Sequence, residues 1–164
     1  DTVIDYPVVH GTDNEYYLKH LYTGQKNRNG SVFVDCGNTG LFTEQNTLIF
    51  GHNMQSGAMF GTLKGYKKQD YYDAHPTMTL YTPAGDYTLE LIAGTVEDGA
   101  YTFAKCSFDS SEEFFDYVAD LKSRSTFQSS VEVQEDDRLV SLCTCTYEFS
   151  NARYVVVGKL TALP

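Results

Sequence analysis

Tryptophan is missing from this chain, and its aromatic character comes from 13 tyrosines and 10 phenylalanines. Tyr and Phe suit the half-buried surface of a sheet, so an aromatic-rich β fold is expected. Cations are scarce: 12 Lys and Arg stand against 22 Asp and Glu, a formal net charge of −10. Such a surface repels a phosphate backbone, which argues against nucleic acid as a partner and otherwise serves solubility. Four cysteines in 164 residues fall far below the density of a disulfide scaffold and read as free thiols. No apolar run approaches the roughly 20 residues that span a bilayer, and no signal peptide opens the chain. Internal repeats, low-complexity tracts and linkers are lacking too. The length fits one domain, residues 1–164, large enough to bury a core without metals or staples.

What is present reads mostly as strands. "GSVFVD" and "NTLIF" are short apolar runs bounded by Gly, Asn and Asp. "MTLYTPAGDYTLELIAGTVED" predicts a hairpin turned by Pro83 to Asp86. "DDRLVSLCTCTY" and "ARYVVVGKLTAL" predict two more strands joined by "EFSN". Helices are fewer. "TDNEYYLKHLYTG" predicts a short one, with Thr12 and Glu15 at capping-box spacing, Tyr17 with Leu21 and Leu18 with Tyr22 at i, i+4, and Gly24 as its end. "DSSEEFFDYVADLKSRS" predicts an amphipathic helix capped by Ser110 and Glu113, with Phe114, Tyr117, Val118 and Leu121 on one face. The expected architecture is a mostly β domain, a barrel or a sandwich, with helices inserted.

Two cysteines, Cys143 and Cys145, lie one residue apart on a predicted strand and so share a face. Four readings are open. A disulfide between them would be strained, and a zinc site lacks the usual Cys-x-x-Cys spacing and a second ligand pair. Both could be inert core residues, or one could be a nucleophile supported by a base and a cation. Among the histidines, His20 falls in the predicted amino-terminal helix, His75 precedes Pro76, and His10 reads as a strand end. His52 stands apart, because it follows an apolar strand and Gly51 permits a tight exit over a cleft. Arg153 opens the last strand, where a short turn brings its guanidinium beside Cys145; an oxyanion-holding role competes with a surface ion pair to Glu148 or Asp136.

These residues together resemble the sortases, class B in particular. Ser141-Leu142-Cys143-Thr144-Cys145 followed by Arg153 is similar to the family's Thr-Leu-x-Thr-Cys…Arg signature, with Ser141 in place of the first Thr. "NTLIFGHNM" resembles the strand leading to the family's catalytic His, and "DYPVVHGTDNEYYL" the amino-terminal segment of class B members. Thr146 stands where related enzymes often carry an acid, so no carboxylate third member is assigned there. The resemblance implies an eight-stranded β-barrel with an amino-terminal helix and a helix between the sixth and seventh strands. It implies Cys145 as nucleophile, His52 as acid and base, Arg153 at the oxyanion, and Asn14, Leu18, Phe50, Thr144 and Thr146 as substrate contacts. Cys143 takes no catalytic part, and Cys36 and Cys106 are left as packing residues. No metal or organic cofactor is required. The implied activity is cleavage of a sorting signal after Thr and transfer to an amine of the peptidoglycan cross-bridge or a pilin lysine, at the extracellular face of the membrane with a single-pass anchor. Two rivals are a papain-like hydrolase, which would not transfer, and a non-enzymatic surface β domain.

Overall fold

The computed structural model describes residues 2–100 and 103–163. Strands β1 (Val8–His10), β2 (Val32–Val34), β3 (Asn46–Phe50), β4 (Thr77–Thr82), β5 (Gly85–Asp98), β6 (Leu139–Cys145) and β7 (Ala152–Ala162) form one sheet in the order β1-β2-β3-β6-β7-β5-β4. β1 with β2 and β3 with β6 pair in parallel, and the other neighbours are antiparallel. The centre is β6, whose first six residues are all buried because both faces are covered, Ser141 and Thr144 included. β4 lies at an edge and alternates exposed and half-buried residues.

Each face of the sheet has its own core. One gathers Ile49, Phe60, Leu91, Leu142, Tyr154 and Val156. The other packs Leu48, Leu139, Cys143, Val155 and Val157 under helix α2 (Ser111–Ser123). Phe114, Val118 and Leu121 of α2 are all buried there, each contributing about 1.5 to 3 kcal/mol on removal from water. Ser110 caps this helix as predicted, its hydroxyl accepting from Glu113 N, while the Glu113 carboxylate reaches Asp109 N. The hairpin is also borne out: Thr82 pairs with Gly85 around Pro83 and Ala84.

The mostly β architecture is as expected, and three of its details are corrected. Seven strands, not eight, occur among the described residues, and β1 and β4 form the two edges of a curled sheet. With one strand fewer, α2 falls between β5 and β6. The predicted amino-terminal helix shrinks to a 3-10 turn, Tyr16–Leu18. Its would-be bonds are taken elsewhere, since Tyr17 O accepts from Ser31 N and Leu21 N donates to Gln25 O. Asp13 rather than Thr12 supplies the cap, accepting from Glu15 N and Tyr16 N. Unforeseen were a 3-10 turn at Leu63–Lys67 and a short helix α1 (Gln69–Ala74), which bury Leu63, Tyr66 and Tyr72.

Candidate active site

Strand register brings three of the predicted residues to one end of the sheet. Cys145 ends β6 and is the direct cross-strand partner of Arg153 on β7, so both side chains lie on one face. On the other side of β6, the parallel pairing to β3 runs to Phe50 opposite Cys143. Past that point the chains stay stitched: Gly51 N donates to Cys143 O at 3.1 Å, and Thr144 Oγ1 to Gly51 O at 2.7 Å. Asn53 Nδ2 then donates to Cys145 O at 2.8 Å, which ties the segment carrying His52 to the end of β6. Gly51 is needed here because a Cβ would stand 2.6 Å from the Phe60 ring, and Phe60 N in turn donates to His52 O.

His52 Nε2 donates to Leu18 O at 3.0 Å. A neutral ring held this way presents Nδ1 as its acceptor. Arg153 makes no ion pair among the described residues; its Nη1 donates to Asn151 O and Ala152 O, both at 3.1 Å. Of the five donors of a guanidinium, those on Nε and Nη2 remain unused by described residues. Glu148, the expected surface partner of Arg153, is paired with Lys67 instead. The two cysteines divide sharply: Cys145 is exposed, whereas burial pushes the Cys143 thiol up to about 12, with nearby Arg153 opposing only in part.

The predicted substrate contacts are placed unequally. Leu18 is exposed at the end of its 3-10 turn and meets His52 through its carbonyl. Asn14 ties both ends of its amide to the turn after β2, donating to Asp35 at 2.7 Å and accepting from Cys36 N at 2.8 Å. Phe50 packs against Phe33 with ring centroids 5.3 Å apart. Thr144 is buried with its hydroxyl on Gly51 O. Thr146 is buried between Lys67 Nζ at 2.8 Å and Glu148 Oε2 at 2.6 Å. Cys36 is no packing residue: it sits exposed in the turn after β2, while Cys106 is half-buried with its thiol raised by burial.

A family profile for the sortase domain matches residues 1–161. The chain belongs to the sortase family. Sortases are cysteine transpeptidases associated with the cell envelope. Sortase B of Listeria monocytogenes is 38% identical over 98% of this chain, and sortase B of Staphylococcus aureus 29% over 97%. The chain spans 66% of the length of each. Among solved structures, sortase B of Clostridium perfringens superposes with a TM-score of 0.91 at 35% identity, covering 98% of this chain and 88% of that one. The S. aureus sortase B–substrate complex gives 0.93 at 28%, covering 99% and 76%. These relatives make the chain a class B sortase. No helix among its described residues is long and apolar enough to cross a membrane.

Sequence reasoning passed over Asn53 and Lys67 near the end of β6, and gave Glu148 a different partner. Asn53, adjacent to His52, carried no signal of its bond to Cys145. Lys67 and Glu148 lie 81 positions apart, and only the fold joins them at Thr146. Lys67 and the Thr146 hydroxyl hold Glu148 down at about 2, below its ordinary 4.5. A depressed carboxylate stabilises the fold above its ordinary value, and that contribution is lost as pH falls toward 2. Both side chains are partly exposed, so it amounts to at most about 1 kcal/mol. In thermal melts, Glu148→Gln should therefore lie below the parent at pH 6 and converge on it as the pH approaches 2. An equal gap at both ends would remove Glu148 from the acid response.

Proposed function

We propose that this chain cleaves a sorting signal at a Thr-x bond and passes the acyl group to an amine. His52 takes the Cys145 thiol proton as the sulfur attacks the Thr carbonyl, and Arg153 donates to the oxyanion that develops. His52 protonates the departing amine, leaving a thioester on Cys145. An incoming amine, deprotonated by His52, then attacks that thioester, forms the new amide and releases the thiol. The observation that carries this reading is the register: Cys145 opposite Arg153, with the segment that carries His52 tied to the same strand end by the Asn53 bond to Cys145 O.

Leu18 and Phe50 are proposed to line the peptide path, with Asn14, Thr144 and Thr146 shaping it from behind. S. aureus sortase B has been solved as a substrate complex, and a sortase B has been solved with triglycine, which supports a peptide donor and an amino-terminal glycine acceptor here. In the cell the acceptor would be a peptidoglycan cross-bridge, and the catalytic domain would work outside the membrane on a single-pass anchor. The test is a panel of labelled Thr-containing sorting peptides incubated with and without triglycine, read by mass. A triglycine-dependent product with a peptide-bearing Cys145 intermediate is expected. Release of free acid alone, unchanged by triglycine, would favour a hydrolase.

A further inference from the structure

Arg153 has a second cross-strand neighbour. On β5, Glu97 stands directly opposite it, so Cys145, Arg153 and Glu97 form a row across β6, β7 and β5 on one face of the sheet. Side chains directly opposite each other begin about 4.5 to 5.5 Å apart at Cβ, and an Arg facing a Glu at that range ordinarily pairs with it. Here it does not. The Glu97 carboxylate accepts from Arg124 Nη1 at 2.9 Å, and Arg124 is anchored in turn by Asp120, one helical turn earlier, at 2.7 Å. Arg124 is the residue on which α2 ends. The Glu97 side chain is 14% exposed, so water reaches this partner only in part. Arg153 is left with the main-chain carbonyls of Asn151 and Ala152 at the start of β7 and leans over Gly99, where a Cβ would meet its Cζ at 3.0 Å.

We infer that Arg124 is a positioning residue that occupies Glu97 and thereby keeps Arg153 available to the reacting carbonyl. The inference rests on the reading of Arg153 as oxyanion donor. Without Arg124, the half-buried carboxylate is left facing one guanidinium, that of Arg153 across the strand. Pairing with it would commit the Arg153 donors that are now unused to a carboxylate, and so withhold them from the carbonyl at Cys145. The cost falls on the transition state and not on substrate binding, so kcat drops while KM holds.

The test measures kcat and KM for the best peptide and triglycine in Arg124→Ala, Glu97→Gln, the double variant and Arg153→Lys. Arg124→Ala should lose about tenfold in kcat with little change in KM, and adding Glu97→Gln should restore turnover to within about twofold of the parent. Glu97→Gln alone should stay close to the parent. A loss in Arg124→Ala that Glu97→Gln does not repair would mean damage to the end of α2 and would overturn the inference. Full turnover in Arg124→Ala beside an inactive Arg153→Lys would overturn it and leave the oxyanion role standing, whereas an active Arg153→Lys would remove both. Independently of any substrate, the crystal structure of Arg124→Ala should bring Glu97 within about 4 Å of Arg153; a carboxylate still turned toward α2 refutes the inference.

Discussion

Cys145→Ala should abolish both product and thioester, whereas Cys143→Ala should keep substantial turnover. The two thiols share a strand and a face but not an environment. Cys145 is exposed at the strand end opposite Arg153; Cys143 is 1% exposed beneath α2, its thiol pushed up to about 12 by burial. Removing a nucleophile costs on the order of 10⁶-fold in turnover, which puts the Cys145 variant below detection. Loss of the Cys143 sulfur leaves a small cavity worth about 1 kcal/mol of stability. Alkylation of the folded parent at pH 8 should accordingly mark Cys145 and spare Cys143 until denaturant is added. If the Cys143 variant alone were inactive, with both variants folded, the nucleophile would have been assigned to the wrong sulfur.

Arg153→Lys and Arg153→Ala should each lose about 100- to 1000-fold in kcat, or about 3 to 4 kcal/mol of transition-state stabilisation. Lysine keeps the charge but replaces a planar fork by a compact ammonium, and the site depends on where the donors point. Thermal stability should change little, because Arg153 has no ion pair among the described residues and its bonds go to the carbonyls of Asn151 and Ala152 at the start of β7. Asn151, which holds a left-handed φ of 63°, also accepts from Gly99 N, so the turn keeps a tie of its own. The measurement is kcat for the lysine variant beside its Tm. Near-native turnover would leave the oxyanion to backbone N–H groups.

Local chemistry made parts of this molecule legible from the sequence. Ser110 and Glu113 marked the start of α2 because a cap is a contact over three residues, and the Pro83–Asp86 turn is as local. His52 stood out because an apolar strand ran straight into Gly51. Partners across strands were not legible. Nothing near Glu97 in the chain says that it will face Arg153, and nothing near Lys67 points to Thr146. The amino-terminal segment had the spacing of a helix, yet Ser31, fourteen positions on, claimed the Tyr17 carbonyl and left one 3-10 turn. α1 escaped notice because six residues carry too little periodicity; tertiary burial of Tyr72 and of Tyr66 just before it anchors the segment. Cys36 shows the hazard of default: flanked by Asp35 and Gly37, it had the setting of a turn.

One extra residue in β5 decides what faces Arg153. Leu91 pairs with Gly158 and Ala93 with Val157, so Ile92 is slipped in between them. Were the count regular from Leu91 onward, Val96 would stand opposite Arg153, and Glu97 would turn to the opposite face of the sheet, among apolar neighbours. The charge at this corner is thus a matter of phase along the strand, set some five residues away from the position it controls. With the bulge held, one residue added between Ala93 and Val96 would bring Val96 opposite Arg153, and one removed would bring Asp98, a shorter acid. A residue added or removed after Gly94 leaves the Tyr154 ring its space against that glycine, so the length of this stretch of β5 is a heritable variable that resets the charge facing Arg153 without a substitution on β6 or β7.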